Sequence, residues 1–383
     1  MVGNDERLAG IGTPPTAQDR PNWDRFANWG KTPARLMLLV LLGLLVWAAI
    51  VPIKGGDHPV VTRNSLDILV NRGGPAPKRE RDADLAHYDR VIERINHGEN
   101  YYDFIVAEQR KADYPVRPGM AVRLPTLAYL DAWLGYYGQV TAAILLMIAV
   151  VVVWWRKLAE EPGGRRRRMT GSAMMLIGAS LGANVGYFVL HELWAGMLLA
   201  LSMGLHRPGK WGASLVVAAL ALAIRELVLP YVLLMSALAL FRGERREGIA
   251  WLTLAVVFFG LLMVHLKIIE AQVLPTDRHG QGWLYLRGLS GWLSNVALSS
   301  NLRAFPHWLA GPLVIVMTFG WVGWNTREAF FATLLFLGYA VLFMLTSRGD
   351  NFYWGMVIAP PMFIGFAFAP VWFRSLCKSA FAR

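Results

Sequence analysis

Long uninterrupted apolar runs constrain this chain more than any other feature of its sequence. Residues 36–51, 140–155 and 252–264 are examples that approach or reach the length needed to cross the hydrocarbon core of a bilayer. A soluble helix that is apolar on every face would have no side to turn toward water. Only 17% of the residues are charged, against about a quarter in an average soluble domain. The pattern predicts an all-α, polytopic transmembrane helical bundle.

Positive charge is grouped at the ends of the apolar runs. The formal net charge of +12 would by itself fit a nucleic-acid-binding protein. The Lys and Arg residues, however, follow the arrangement that orients membrane helices, and the densest cluster is at 165–168. We therefore expect membrane lipids, and no nucleic acid, as partners of this chain.

Ten apolar segments predict about ten transmembrane spans. They lie near residues 34–53, 136–155, 169–190, 193–205, 211–224, 227–241, 249–266, 308–324, 329–345 and 353–373. Lys and Arg in the short loops fall on alternate ends of successive spans, which predicts that both termini are cytoplasmic. Residues 1–33 then form a cytoplasmic lead-in, 34–376 the transmembrane domain and 377–383 a cytoplasmic tail.

Two long polar segments, 54–123 and 267–306, are predicted to form external loops. Three polar interruptions fall on the same external side: His191–Glu192, Arg225–Glu226 and Arg348–Asp350. The first two interruptions are interpreted as turns of helical hairpins, and the alternative is that they separate half-helices broken inside the membrane. Because ionisable groups at membrane depth are costly and indicate function, this convergence predicts a site on the external face.

The first external segment contains one recognisable helix, residues 84–96, which Gly98 is placed to end. Its apolar residues recur on one face, at Leu85, Tyr88, Ile92 and Ile95. This pattern predicts an amphipathic helix lying on the membrane surface. From residue 98 to a return near Pro125, the prolines predict an irregular binding loop. At the entrance of the helix, Asp82 or Asp84 could simply cap it.

The order Asp84-x-x-x-Tyr88, then Gly98-Glu99-Asn100-Tyr101-Tyr102, then a proline-containing return, resembles the GT-C superfamily of polytopic glycosyltransferases. It looks most like the bacterial branches, which include family 87 mannosyltransferase-like proteins and the aminoarabinose transferase and protein mannosyltransferase relatives. Relatives often carry an acidic pair where this chain has Asp82-Ala83-Asp84. Either aspartate could therefore be the functional one, and the spacing to Tyr88 favours Asp84.

The resemblance implies an enzyme of the bacterial inner (cytoplasmic) membrane that transfers a hexosyl or pentosyl group from a polyprenyl-phosphate donor. The acceptor would be an envelope glycan, glycolipid or protein, and Asp84 would take its proton as general base. Transfer is expected to be inverting, with no metal and no cofactor. Cations that would stabilise the leaving phosphate are Arg225, Arg348, Lys267 and His191. Candidate substrate-binding residues are Tyr88, Tyr101, Tyr102, Glu226, Asp350 and Tyr353.

Other functions fit parts of the pattern. Short broken helices with charges near membrane depth also suit a polytopic transporter or lipid flippase without transferase activity. Against that alternative, no internal repeat relates the two halves of the chain. A non-catalytic membrane subunit and an O-antigen-ligase-like enzyme are further alternatives. At single residues, Arg225–Glu226 could be an ion pair that holds a hairpin, and Arg348 with Asp350 a solvated turn.

Overall fold

A computed structural model of the chain describes residues 23–55, 83–346 and 348–382, and these residues are helical almost throughout. Four helical stretches are long and apolar enough to cross a membrane: Lys31–Ile50, Gly119–Glu160, Arg245–Glu270 and Arg327–Thr346. A fifth is added if the bent pair Gly349–Val357 and Ala359–Phe381 is counted as one span. The all-α prediction is confirmed for the described residues, and several helices could span a membrane. The predicted count of about ten spans and their sidedness stay predictions.

In the described residues we number fourteen α-helices. They are α1 Lys31–Ile50, α2 Ala83–Asn96, α3 Tyr101–Lys111, α4 Thr126–Glu160, α5 Arg168–Ala179, α6 His191–Leu205, α7 Gly212–Ile224, α8 Leu229–Phe241, α9 Arg245–Glu270, α10 Leu289–Leu298, α11 His307–Val322, α12 Arg327–Thr346, α13 Ala359–Met362 and α14 Gly365–Phe381. Short 3₁₀ turns connect several of them, and the longest is Gly349–Val357.

Ion pairs join the helices at one end of the bundle, which we call the Lys157 end. Lys157 of α4 lies 3.1 Å from Glu328 of α12 and donates a hydrogen bond to the carbonyl of His206 at 2.7 Å. His206, just after α6, lies 2.7 Å from Glu247 of α9. The chain therefore leaves this end after His206 and returns to it before Glu247. Arg225–Glu226 lies between the two helices of this excursion, α7 and α8.

The segment predicted as an irregular loop after Gly98 contains a helix, so that prediction is wrong for α3. The Asn100 side chain caps its start by accepting a hydrogen bond from the backbone N–H of Tyr102 at 3.0 Å. Phe104 and Ile105 are buried against α2 and the return loop. Burial of a short apolar stripe stabilises this helix although its sequence is rich in charge.

The second long segment is not a polar loop throughout, which corrects the prediction for 267–306. It contains α10, whose residues Trp292, Leu293 and Val296 are buried. This helix packs against the 3₁₀ segment Gly349–Val357 and against α12. Its apolar residues lie inside the bundle because they fill the space between these two elements.

Three predicted spans have different bounds in the structure. The span at 169–190 is helical only to Ala179, after which 3₁₀ turns follow. The span at 136–155 is part of α4, which kinks at Gly135, where φ is 60°. The last span, 353–373, is bent by 66° near Pro360 and Pro361. Proline lacks the backbone N–H that a continuing helix needs, so a new helical axis begins there.

Close backbone contacts position the 3₁₀ segment Gly349–Val357. Gly196 of α6 lies directly against the carbonyl of Met356, and Gly355 lies against the carbonyl of Asn295 in α10. A side chain on either glycine would overlap these carbonyl groups. Small residues allow such close approach between membrane-type helices. The segment that carries Tyr353 is therefore fixed between α6 and α10.

Candidate active site at the Arg123 end

Asp84 lies in the first turn of the surface helix α2 and is half-buried. The hydroxyl of Tyr114 donates a hydrogen bond to its Oδ1 at 2.5 Å. Tyr114 belongs to the loop after α3, so this bond joins the loop to the start of α2 and orients the carboxylate. The alternative base, Asp82, lies outside the described residues.

Arg123 is connected to Asp84 through Tyr88, one helical turn along α2. Arg123 donates a hydrogen bond from Nε to the Tyr88 hydroxyl at 3.2 Å. The carbonyl of Arg123 accepts a hydrogen bond from the buried Tyr101 hydroxyl at 2.6 Å. Tyr101, predicted to bind substrate, therefore positions the Arg123 backbone. Sequence reasoning misses Arg123, and the only signal was a basic residue just before Pro125 in the return loop.

A buried ion cluster lies at the same end of the bundle as Arg123 and consists of Glu192, Arg225 and Glu226. Arg225 is 1% exposed, its Nε lies 2.7 Å from Glu192 Oε1, and its Nη1 contacts Glu226 Oε1. The contact with Glu192 lacks the angle of a hydrogen bond, and Nη2 has no hydrogen-bond partner among the described residues. Arg225 therefore keeps donor capacity although two carboxylates balance its charge.

His191 is the first residue of α6, and its ring centre lies 5.4 Å from that of Tyr88. The ring is 4% exposed. Within the described part of the chain, neither ring nitrogen has a hydrogen bond of good geometry, although the Leu124 backbone is nearby. The ring therefore lies where a ligand that enters beside Tyr88 would meet it.

Tyr353 belongs to the 3₁₀ segment Gly349–Val357. Its hydroxyl lies within range of the charges of Arg123, Asp84 and Glu192. The negative charges of Glu192 and Glu226 likewise interact with the guanidinium of Arg123. These contacts and charge interactions define one group, the Arg123 cluster. Its members are Asp84, Tyr88, Arg123, His191, Glu192, Arg225, Glu226 and Tyr353. Six of the predicted site residues are therefore brought together, by elements distant in sequence.

The remaining predicted site residues have other neighbours. Arg348 forms a two-armed pair with Asp350, from Nε at 3.1 Å and from Nη2 at 2.7 Å. The Tyr102 hydroxyl lies 3.1 Å from Nδ1 of His265 on α9. Lys267 is exposed on α9. Tyr102 and Lys267 have no described hydrogen bond or ion pair to the Arg123 cluster.

Ion pairs join α2, α3 and the segment after α9 next to the cluster. Glu108 of α3 accepts hydrogen bonds from Arg90 at 2.9 Å and Arg94 at 3.3 Å, both on α2. Arg110 of α3 pairs with Asp277 at 2.5 Å, and this hydrogen-bonded guanidinium lowers the pKa of Asp277 to about 2. Asp277 therefore stays ionised, and the segment that follows α9 is held against α3.

A cavity of about 20 Å³ adjoins the Arg123 cluster between α2, α3 and α4. Its polar lining consists of His87, Tyr88, Gln109, Arg123, Asp131 and His191. Burial lowers the pKa of His87 to about 4, so this ring is neutral at pH 7. A larger cavity of about 270 Å³ lies at the Lys157 end, with Lys157, His206, Glu247 and Glu328 in its lining.

Among the described residues, no three His, Cys, Asp or Glu side chains are arranged to hold a metal ion. The expectation of metal-independent chemistry without a cofactor stays a prediction. No known protein family, curated protein or solved structure matches this chain. The resemblance to the GT-C superfamily therefore rests on the sequence pattern of the first external segment.

Proposed function

We propose that this protein is a membrane glycosyltransferase that moves a sugar from a polyprenyl-phosphate donor to an envelope acceptor on the external face. The observation that carries the proposal is that the Asp84 carboxylate and two arginines, Arg123 and Arg225, belong to one cluster at one end of the bundle. Inverting transfer requires both a carboxylate that accepts a proton and cations that stabilise a phosphate.

The proposed reaction uses these groups as follows. The acceptor oxygen bonds to the anomeric carbon while the bond from that carbon to the phosphate oxygen breaks. The acceptor proton moves to Asp84, and the electron pair of the broken bond stays on the phosphate. Arg123 and Arg225 stabilise the developing charge. His191 and Tyr353 lie next to these arginines and contact the donor.

Charge balance supports phosphate binding at Arg225. Its two carboxylate partners differ in exposure. The Glu226 side chain is 18% exposed, whereas that of Glu192 is 2% exposed. Glu226 is therefore the partner that can swing away. A sugar phosphodiester carries one negative charge and would replace Glu226 without changing the net charge around the guanidinium.

The proposal includes about ten crossings with both termini in the cytoplasm of a bacterial inner membrane. Contacts at the two ends of the described chain support a shared side for the termini. Arg35 of α1 donates to the carbonyl of Ala380 at 3.0 Å, and Ser375 of α14 donates to Asp24 at 2.8 Å. An even number of crossings puts the two termini on the same side.

A polytopic transporter or lipid flippase is the second candidate, and one observation favours it. The bundle has a cavity at each end, of about 20 Å³ beside Arg123 and about 270 Å³ beside Lys157. Alternating access requires openings toward both sides of the membrane. A carrier would need no general base at Asp84, so the two candidates differ in that residue.

The test compares Asp84→Asn with Asp82→Asn, after mass spectrometry of envelope glycolipids with and without the gene has identified the acceptor. Asp84→Asn is expected to fold, as judged by size-exclusion chromatography, and to lose transfer. The control is Asp113→Asn, whose carboxylate is exposed and pairs with Arg278. Loss of transfer in Asp82→Asn alone would move the base to Asp82. Normal transfer by both variants would refute the catalytic assignment.

A further inference from the structure

The cavity between α2, α3 and α4 contains buried acceptor atoms without donors. Asp131 is 1% exposed, and neither of its carboxylate oxygens has a hydrogen-bond partner among the described residues. Gln109, 5% exposed, lines the same cavity with Oε1 equally unpartnered. Native proteins almost always satisfy such groups, so these acceptor atoms are suited to a ligand that carries donors.

The ligand that fits these acceptors is expected to carry positive charge. A buried carboxylate without a counter-charge is strongly disfavoured. The charged neighbour that acts on Asp131 is Asp89, another acid, whereas Arg123 of the same lining interacts with the carboxylates Glu192 and Glu226. The walls contributed by Ile105 and Leu127 are apolar and screen little. A cation with several N–H donors would satisfy both the charge and the open acceptors.

The size of the cavity restricts that cation. About 20 Å³ holds a single water-sized group. A primary ammonium group has this size and offers three donors. A trimethylammonium group, as in choline, is larger and has no N–H donor. The cavity should therefore favour the first over the second.

The location of the cavity indicates where the ammonium group comes from. Trp133 is 81% exposed and Tyr137 is 84% exposed, on the same helix as Asp131 and within two turns of it. Exposed Trp and Tyr side chains concentrate at the headgroup level of a bilayer. Asp131 thus lies at a depth where lipid headgroups are the most abundant ligands.

We propose that Asp131 and Gln109 bind a primary ammonium group, and that an ethanolamine lipid headgroup is its source. A soluble primary amine would present the same chemistry. The site would exist whether or not the protein transfers sugars, so this proposal does not depend on the proposed function.

The experiment uses the full chain in detergent, with thermal unfolding and native mass spectrometry as measurements. The probes are phosphatidylethanolamine, phosphatidylcholine, free ethanolamine and free choline. We expect phosphatidylethanolamine to bind at least about tenfold more tightly than phosphatidylcholine. Asp131→Asn should remove that difference, while Asp103→Asn, which neutralises an exposed acid on α3, should preserve it.

A second pair of variants covers the outcome that Asp131→Asn does not fold. Gln109→Glu adds a carboxylate to the cavity and should tighten ethanolamine-lipid binding, and Gln109→Leu should weaken it. Stabilisation by free ethanolamine as well as by the lipid would assign the site to soluble amines too. Equal affinity for both lipids in the native protein would overturn the proposal. So would Gln109 variants that leave the affinity for the ethanolamine lipid unchanged.

Discussion

Arg123 donates a hydrogen bond from Nε to the hydroxyl of Tyr88 across 3.2 Å, and this bond joins the return loop to the surface helix α2. Residues four apart on a helix lie on the same face, so Asp84 and Tyr88 point the same way. The spacing between Asp84 and Tyr88 therefore places the tyrosine that bonds to Arg123 one helical turn from Asp84. A carboxylate and the partner of a cation lie on the same face of α2.

Replacing Arg123 with glutamine should slow transfer strongly. Gln keeps one donor group but loses the charge that would stabilise the leaving phosphate. Removal of one preorganised donor from a transition-state site costs roughly 10²- to 10³-fold in rate. The measurement is kcat with purified donor and acceptor, and Arg117→Gln in the same loop is the control. A kcat within twofold of the native value would exclude Arg123 from the chemistry.

Long apolar runs were located well from the sequence alone. The predicted spans at 249–266 and 329–345 correspond to α9, Arg245–Glu270, and α12, Arg327–Thr346. The amphipathic helix predicted at 84–96 is α2, Ala83–Asn96. In each case the hydrophobic pattern is local, uninterrupted and long enough to dominate the choice of structure.

Features that depend on distant contacts could not be read from local pattern. The helices α3 and α10 are short, and each is stabilised by burial against elements far along the chain. Arg123 gains its significance only because the fold places Glu192 and Glu226 near it. In the sequence it is a single basic residue at the end of a loop.

Stability at mildly acidic pH should depend on His87. Its pKa is lowered from 6.5 to about 4 by burial, so the unfolded chain binds a proton at pH values where the folded protein does not. The free energy of unfolding should therefore fall as pH drops from about 6.5 to about 4, then level off. The difference corresponds to about 3 kcal/mol at most.

The measurement is thermal or chemical unfolding of the native protein and of His87→Gln between pH 4 and pH 7.5. The variant has no titrating ring at this position, so its stability should change less over that range. The exposed His97, replaced in the same way, serves as the control. Parallel stability profiles for the native protein and His87→Gln would contradict the buried neutral ring.

Gly196→Ala should destabilise the bundle because a methyl group there would overlap the Met356 carbonyl. Overpacking of this kind costs roughly 1–3 kcal/mol. Gly338→Ala is the matched control, since the same methyl group on α12 meets open space and improves helix propensity. Thermal unfolding in detergent measures both. If the two variants melt alike, the close contact between α6 and the Tyr353 segment is not formed.

The sidedness of the chain can be measured through its single cysteine, Cys377. The tail from residue 377 is predicted to be cytoplasmic, so a membrane-impermeant maleimide should label Cys377 only after the membrane is permeabilised.

In a Cys377→Ser background, Gly282→Cys should react in intact cells. Gly282 is exposed, and a side chain there meets no neighbouring atom. A reporter fused after Gly248 should be on the cytoplasmic side, as the tail is predicted to be. Three predicted spans, an odd number, lie between residues 282 and 377, so labelling of both cysteines from the same side would overturn the proposed topology. Because the Arg123 cluster and residue 282 belong to the same predicted face, labelling of Gly282→Cys only after permeabilisation would remove Asp84 from the external surface.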